Sequence, residues 1–381
     1  MKYAIVGSGF TGAVMAYHLA KYGEEVDVFE SRSHIGGNCY TERDKNTGVL
    51  IHKYGPHIFH TDNEIVWKFI NQFTEFKPFT NRVKTTVGNE VFSLPINLHT
   101  INQFYKKTFS PIEAKKYINH VSEKSIKEPL NFEEQALKFV GKDLYEAFFK
   151  GYTQKQWGRS PTSLPASILK RLPVRFNYDD NYFNHKFQGM PIDGYTKIFE
   201  KLLNHDNINL YLNQKFKRVD KEKYQHTFFS GPIDSWFDHE IGRLAYRTLD
   251  FEKEEHEGDF QGCAVMNYGE ESIPFTRITE HKYFEPWKNN NRTVIFREYS
   301  REATEKDIPY YPIRQTDEKD MLKKYIELAK SEKKVSFMGR LGTYRYLDMD
   351  VTILEALEAF SDVKKLLDQN KKLPVFFTNP I

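Results

Sequence analysis

Only two cysteines, Cys39 and Cys263, occur in 381 residues, too few for a disulfide framework, so at most a single bridge stays open. No apolar run approaches the roughly 20 residues needed to span a bilayer. The opening MKYAIVGSG enters a strand and turn without the apolar stretch and small-residue cleavage site of a secretory signal. These features set the expectation of a cytoplasmic protein with no transmembrane segment. Charge of one sign is also missing: 55 Lys and Arg alternate with 52 Asp and Glu for a net +3, and no block could track a phosphate backbone. Nucleic acid is therefore not an expected partner. There is no internal repeat and no low-complexity segment. What the chain has in abundance is aromatic residues, 23 Tyr, 31 Phe and 4 Trp, or 15% of the sequence. Several stand beside Arg and Asn, where a planar ring suits stacking on a base, a sugar or a flavin. The length suffices for two or three cores.

Tyr3 to Gly7 reads as a short buried strand, Thr11 to Tyr22 as a helix and Glu25 to Glu30 as a second strand, which makes a βαβ unit. Ile51 to Phe59 alternates like a strand, and Ile65 to Phe73 has helical spacing. From about Ile101 to Gln156 apolar residues recur three and four apart, as expected of a helical insertion. Ser160 to Gly194 mixes proline, glycine, arginine and aromatics without a period and is expected to form long loops, one of them a mobile lid. Strand-like runs return at Ile208 to Leu212, His226 to Ser230, Gln261 to Tyr268 and Thr293 to Tyr299. Val335 to Gly339 is a further strand, and Val351 to Leu367 a helix that returns the chain to its N-terminal domain.

GSGFTG at Gly7 to Gly12 follows a strand and opens a helix, with Glu30 ending the next strand. Gly7 permits the tight turn, Gly9 lets the backbone approach a pyrophosphate, Gly12 lets helix and sheet pack closely, and Glu30 can accept from a ribose. The glycine pair in SHIGGN, residues 33–38, resembles the FAD signature of flavin oxidoreductases and amine oxidases. In FMGRLGTYRYLDMD, Gly339 and Arg340 follow a strand, and Asp348 to Asp350 precede a helix whose N-terminus could meet the flavin. His57 and His60 sit three apart, but no carboxylate or cysteine set with ligand spacing accompanies them, so no metal is expected.

The strings HKYGPHIFHT, GYTQKQWGRS, LPVRFNYDDNYF, FTRITEHK and GRLGTYRYLDM, in this order, resemble bacterial UDP-galactopyranose mutases over essentially the whole chain. That resemblance implies an α/β fold in which a Rossmann-like FAD domain is assembled from residues 1–82, 201–236 and 335–381. A helical-bundle insertion would span 97–161. A twisted antiparallel sheet domain would take 83–96, 162–200 and 237–334, with the lid near 162–182. The implied isomerase interconverts UDP-galactopyranose and UDP-galactofuranose without net redox change. Its FAD, kept reduced by an external reductant, attacks the anomeric carbon through N5 and passes through a flavin–sugar iminium. A homodimer serving cell-surface polysaccharide is the family expectation, with plain galactose favoured over N-acetylgalactosamine. The competing reading is an FAD-dependent oxidoreductase of the amine oxidase kind, because the glycine turn, Glu30 and SHIGGN would look alike in both.

Residue by residue, the resemblance gives Arg175 and Arg277 to the pyrophosphate as catalytic cations, since planar guanidinium groups suit bidentate phosphate contacts. Tyr311 and Tyr346 would reach the phosphates through their hydroxyls. Tyr152, Thr153 and Trp157 would form the uridine surface, with Tyr152 stacked on uracil. Asn81, Tyr182, Phe183 and Asn267 would complete the nucleotide and sugar contacts. His57 would lie against the cofactor, and His60, counted as catalytic, near flavin and sugar. Ser31, Gly37, Asn38, Ile58, Phe216, Met349 and Thr352 would join Gly7, Gly9, Thr11, Gly12, Glu30, Gly339, Arg340, Asp348 and Asp350 around FAD. Thr11, Pro56 and Leu347 depart from the family's usual large apolar residue, alanine and tyrosine.

Overall fold

The computed structural model describes residues 2–171, 173–313 and 316–381. Met1, Leu172, Arg314 and Gln315, which fall in the expected segments 1–82, 162–200 and 237–334, lie outside the described residues. Leu172 is also the first residue of LPVRFNYDDNYF.

A five-stranded parallel sheet takes its strands from distant parts of the chain, in the order Ile208–Tyr211, Glu25–Phe29, Lys2–Val6, His226–Phe229, Val335–Phe337. Tyr3, Ala4 and Ile5 are fully buried, as expected for a central parallel strand covered on both faces. Helices Phe10–Lys21, Thr196–Leu203 and Met349–Asp368 share one core with this sheet, and Phe10–Lys21 packs directly on Met349–Asp368. A separate core gathers Phe229, Trp236, Phe237, Tyr325 and Phe337. It takes in a helix that the sequence reading had not anticipated, Thr316–Ser331, whose Leu322, Tyr325, Ile326 and Ala329 are buried at helical spacing.

The second sheet has seven strands in the order Tyr311–Pro312, Tyr246–Glu257, Arg292–Glu302, Arg277–Glu280, Val265–Tyr268, Val83–Val87, Glu90–Leu94. Its pairs are antiparallel except Val265–Tyr268 with Val83–Val87, which is parallel. The twelve-residue strand Tyr246–Glu257 escaped the sequence reading because its outer two thirds, DFEKEEHE, has no apolar alternation. It is held instead by backbone pairing along Arg292–Glu302 and by cross-strand ion pairs such as Arg301 with Asp250 at 2.6 Å.

The expected strand Ile51 to Phe59 is two short ones, Leu50–His52 and Phe59–Thr61. Gly55, at φ +91°, and Pro56 break it. Within the expected loop region 160–194 a strand, Phe187–Pro191, bridges Phe59–Thr61 and Phe76–Pro78.

Between the sheets in sequence, helices Leu98–Tyr105, Pro111–Val121 and Phe132–Val140 pack with a longer helix around their own core. Their starts are set locally: Asn97 and Asn131 cap with side-chain oxygens, and Ser110 forms a reciprocal box with Glu113 ahead of Pro111. The longer helix runs from Lys142 to Trp157 and widens to π geometry over Tyr145–Lys150. Such widenings are frequent at functional sites, and this one directly precedes Tyr152.

Candidate active site

One cavity of about 1250 Å³ opens at the carboxyl ends of the parallel strands and continues to the seven-stranded sheet. Pockets for one drug-sized ligand measure roughly 300–1,000 Å³, so this cavity is larger than one such ligand needs.

Its parallel-sheet wall begins with the glycine turn. Gly7 sits at φ +98°, a conformation that suits glycine. A Cβ on Gly9 would meet nothing within 4 Å, whereas one on Gly37 would lie 3.3 Å from Gly9 Cα. The two backbones thus form an open cradle at the N-terminus of helix Phe10–Lys21, where unpaired N–H groups favour an anion. Glu30 is buried and held rigidly, accepting from Ser8 N at 3.0 Å, Ser8 Oγ at 2.7 Å and Arg32 N at 2.9 Å. Arg32 also donates to Asn38 Oδ1 at 2.9 Å and lies over the Tyr54 ring. His57 donates from Nδ1 to the Gly55 carbonyl at 2.9 Å, and burial lowers its pKa to about 4, so Nε2 is left as a neutral acceptor. Cys39 on the same wall is a free thiol pushed up to about 12 by burial. These groups fit a dinucleotide with its pyrophosphate on the cradle.

The opposite wall is aromatic and cationic. Arg277 Nε lies 3.0 Å from Glu298 Oε1, both side chains being largely buried. Burial raises the Glu298 carboxyl, while Arg277 and Thr276 oppose that shift. Around this pair stand Tyr152, pushed up to about 12 by burial, and Tyr182 and Tyr311, both raised by the same cause. Tyr311 and Tyr346 stack with centroids 5.9 Å apart, and the Arg340 guanidinium lies 5.2 and 4.5 Å from their ring centres. Neutral hydroxyls and a charged guanidinium in a partly enclosed site suit a phosphorylated ligand.

A family model described as UDP-galactopyranose mutase matches residues 147–346, and one described as an NAD(P)-binding Rossmann-like domain matches residues 5–73. A probable UDP-galactopyranose mutase of Klebsiella pneumoniae is 59% identical over 372 residues, covering 98% of this chain and 97% of the relative. The chain belongs to the UDP-galactopyranose mutase family. A second relative within reach of this mutase family chain is a dTDP-fucopyranose mutase of Escherichia coli, 55% identical over 364 residues, 94% of this chain and 97% of the relative. The fold matches a crystal structure of reduced UDP-galactopyranose mutase with a TM-score of 0.76 at 15% identity, covering 96% of both chains.

In this member of the mutase family most residues singled out from sequence meet on the cavity wall. Gly7, Gly9, Thr11, Glu30, Ser31, Gly37, Asn38, His57, Ile58 and Phe216 line it on the glycine-turn side, joined by Arg340, Asp348, Met349 and Thr352. His60, Asn81, Tyr152, Tyr182, Phe183, Asn267, Arg277, Tyr311 and Tyr346 line the remainder. Six stand back from it. Gly12 lies beneath the turn, where a Cβ would be 1.9 Å from Gly7 O. Gly339, at φ +70°, backs onto Thr11, whose Oγ1 would be 2.3 Å from an added Cβ. Asp350 accepts from Val351 N at 2.8 Å at the start of the last helix. Thr153 is buried, and Trp157 packs on the helical core. Arg175 is turned onto its own segment, donating to Asp179 O at 3.1 Å and to Asn181 O and Asn184 Oδ1.

Sequence reasoning missed Arg32, Tyr54, Leu249, Glu298 and Tyr310, all on the cavity wall, and His185, whose Nδ1 lies 3.1 Å from His60 Nδ1. Tyr54 was within reach, because it stands inside HKYGPHIFHT. Glu298 carried no local signal: its role arises from Arg277 directly across the strand pair.

Proposed function

We propose that this chain interconverts UDP-galactopyranose and UDP-galactofuranose, with FAD bound along the glycine-turn wall. The carrying observation is the single cavity that joins a dinucleotide cradle to the Arg277–Glu298 pair and its tyrosines. Reduced FAD supplies a nucleophilic nitrogen for the anomeric carbon, which is covalent catalysis without net redox change. The chain's own residues hold the two substrate phosphates and stabilise the charge on departing UDP. Arg277, fixed by Glu298, is poised to meet the pyrophosphate, with the Tyr311 and Tyr346 hydroxyls as further donors. Tyr152 offers a ring to the uracil, and Asn81, Asn267, Tyr182 and Phe183 border the sugar. His60, with its pKa lowered chiefly by burial, borders the reacting region as a neutral imidazole. Arg175 reaches the pyrophosphate only if its segment, the expected lid near residues 162–182, swings inward. Trp157 then helps to hold that lid shut.

A homodimer, cytoplasmic residence, an external reductant and a role in cell-surface polysaccharide belong to the same proposal. Among the described residues no helix is long and apolar enough to cross a membrane.

The test is to incubate FAD-loaded protein and dithionite with UDP-galactofuranose and to separate the nucleotide sugars by chromatography. UDP-galactopyranose is expected only with reductant. Its absence under reducing conditions overturns the reading. Parallel incubations with UDP-N-acetylgalactofuranosamine and dTDP-fucopyranose define the sugar and base, the latter because of the Escherichia coli relative. Oxygen consumption with amines would instead support the oxidoreductase reading.

A further inference from the structure

Lys155 lies one turn after Tyr152 on the helix Lys142–Trp157 but is not part of the cavity wall. Its ammonium donates to four backbone carbonyls: Tyr268 at 2.6 Å, Glu270 and Ile273 at 2.9 Å each, and Phe275 at 3.0 Å. All four belong to one turn, between strands Val265–Tyr268 and Arg277–Glu280. Three N–H donors therefore serve four acceptors. Carbonyl oxygens that converge on one point repel one another unless a cation sits among them, and such rings replace the hydration shell of a bound ion. The turn is thus a cation cage, and a side chain from the neighbouring helix supplies the cation. Burial lowers the Lys155 pKa to about 8, against the pull of Glu270 and Glu271, which leaves the charged form predominant at neutral pH.

The surroundings allow little slack. A Cβ on Gly151 would lie 2.2 Å from the Gly269 carbonyl, so helix and turn are in direct backbone contact. Glu270 is anchored on its far side by Gly88 N at 2.9 Å and Thr86 Oγ1 at 3.1 Å. The helix end is pinned from the other direction, since Gln156 O accepts from Arg247 Nε at 3.0 Å and Ser300 Oγ at 2.7 Å. Asn267 and Arg277 stand at the two feet of the caged turn, and Tyr152 on the helix that cages it.

We infer that Lys155 is a positioning residue for nucleotide-sugar binding, its ammonium fixing Tyr152 at a set separation from Asn267 and Arg277. This rests on the assignment of those three residues to the nucleotide sugar under the proposed function. Lys155 itself touches no ligand. Misplacing an aromatic anchor relative to a cationic contact removes about tenfold or more of the affinity they hold together.

The experiment is calorimetric titration of UDP into FAD-loaded wild-type, Lys155→Ala and Lys155→Met proteins. Affinity is expected to fall by about tenfold or more in both variants, with FAD content unchanged. Propylammonium, which replaces the atoms that Lys155→Ala removes, is expected to restore UDP affinity to that variant, whereas sodium at equal ionic strength is not. Gly151→Ala, which pushes the turn off the helix, should show a similar loss without rescue. Wild-type affinity in Lys155→Met, or a loss in Lys155→Ala that propylammonium leaves unchanged, overturns the inference. Failure of the wild-type protein to bind UDP overturns the assignment of the site instead.

Discussion

His60 Nδ1 lies 3.1 Å from His185 Nδ1, and the His60 ring stacks on Phe183 with centroids 3.8 Å apart. Two δ nitrogens can share one proton, so one imidazole donates while the other accepts. His185 therefore sets which His60 nitrogen remains available to the cavity. His185→Leu should retain flavin and lower kcat by about tenfold, in line with the 1–3 kcal/mol lost when a buried polar atom loses its partner. His185→Asn, which still offers a donor and an acceptor, should recover most of that loss in a steady-state assay.

Gly12 leaves no room for a side chain, because its Cβ would stand 1.9 Å from the Gly7 carbonyl. Backbone at that point cannot move without opening the turn. Gly12→Ala is expected to purify with little flavin, read from its visible absorbance. Normal flavin content would count against the cradle.

How far the sequence alone could go is clear from such residues. Gly7, Gly12 and Glu30 announce themselves because a tight turn, close helix–sheet packing and an acidic end to the second strand each mark a residue type at a fixed place on a βαβ unit. The helical insertion was readable for a similar reason, with its 3.6-residue period and local caps. Tyr246–Glu257 was not, because charge pairing across strands leaves no apolar alternation to detect. Glu298 and His185 were hidden for another reason: each matters through a partner far away in sequence, Arg277 and His60, and a one-dimensional pattern does not record that. Arg175 was singled out by its motif, but its conformation, turned onto Asp179 and Asn181, could only come from structure.

The Arg277–Glu298 pair makes a separable test. Arg277→Ala should weaken UDP binding by about 2–5 kcal/mol through loss of the charged partner of the pyrophosphate, and should separately lower thermal stability by leaving the Glu298 carboxylate buried without its partner. Adding Glu298→Gln should recover thermal stability while UDP affinity stays low. Recovery of both in calorimetry would mean that Arg277 serves the fold alone.

Arg175 is predicted to behave differently, because its guanidinium is engaged with its own segment at Asp179, Asn181 and Asn184. Arg175→Ala should lower UDP affinity by a few kcal/mol, about the cost of a missing charge-assisted phosphate contact, with flavin content unchanged. Limited trypsin digestion should show UDP protecting residues 162–182 in wild type and protecting them less in the variant. Near-wild-type kcat/KM would remove Arg175 from the site.

Acid should destabilise the protein through its buried imidazoles. His18 lies between the Phe69 and Phe360 rings at 5.5 and 4.9 Å, and burial lowers its pKa to about 4. His226 and His281 are lowered further, to about 3. In each case the unfolded chain takes up a proton first, near pH 6.5. Stability is therefore retained above that value and lost as pH falls toward 4 and below. Urea midpoints should follow this course, and His18→Phe should shift the acid transition to lower pH.

The parallel sheet has a consequence for how the protein must be made. Its central strand, Lys2–Val6, is made well before one of its neighbours, His226–Phe229, which itself pairs with Val335–Phe337. The glycine-turn helix, in turn, meets its packing partner only when Met349–Asp368 emerges. An early segment thus waits for a much later one, with Ala13, Val14 and Met15 uncovered on the nascent chain. Nascent chains stopped before Met349 should consequently be substrates for chaperones and proteases, and emergence of Met349–Asp368 should be the step that lets the cofactor bind.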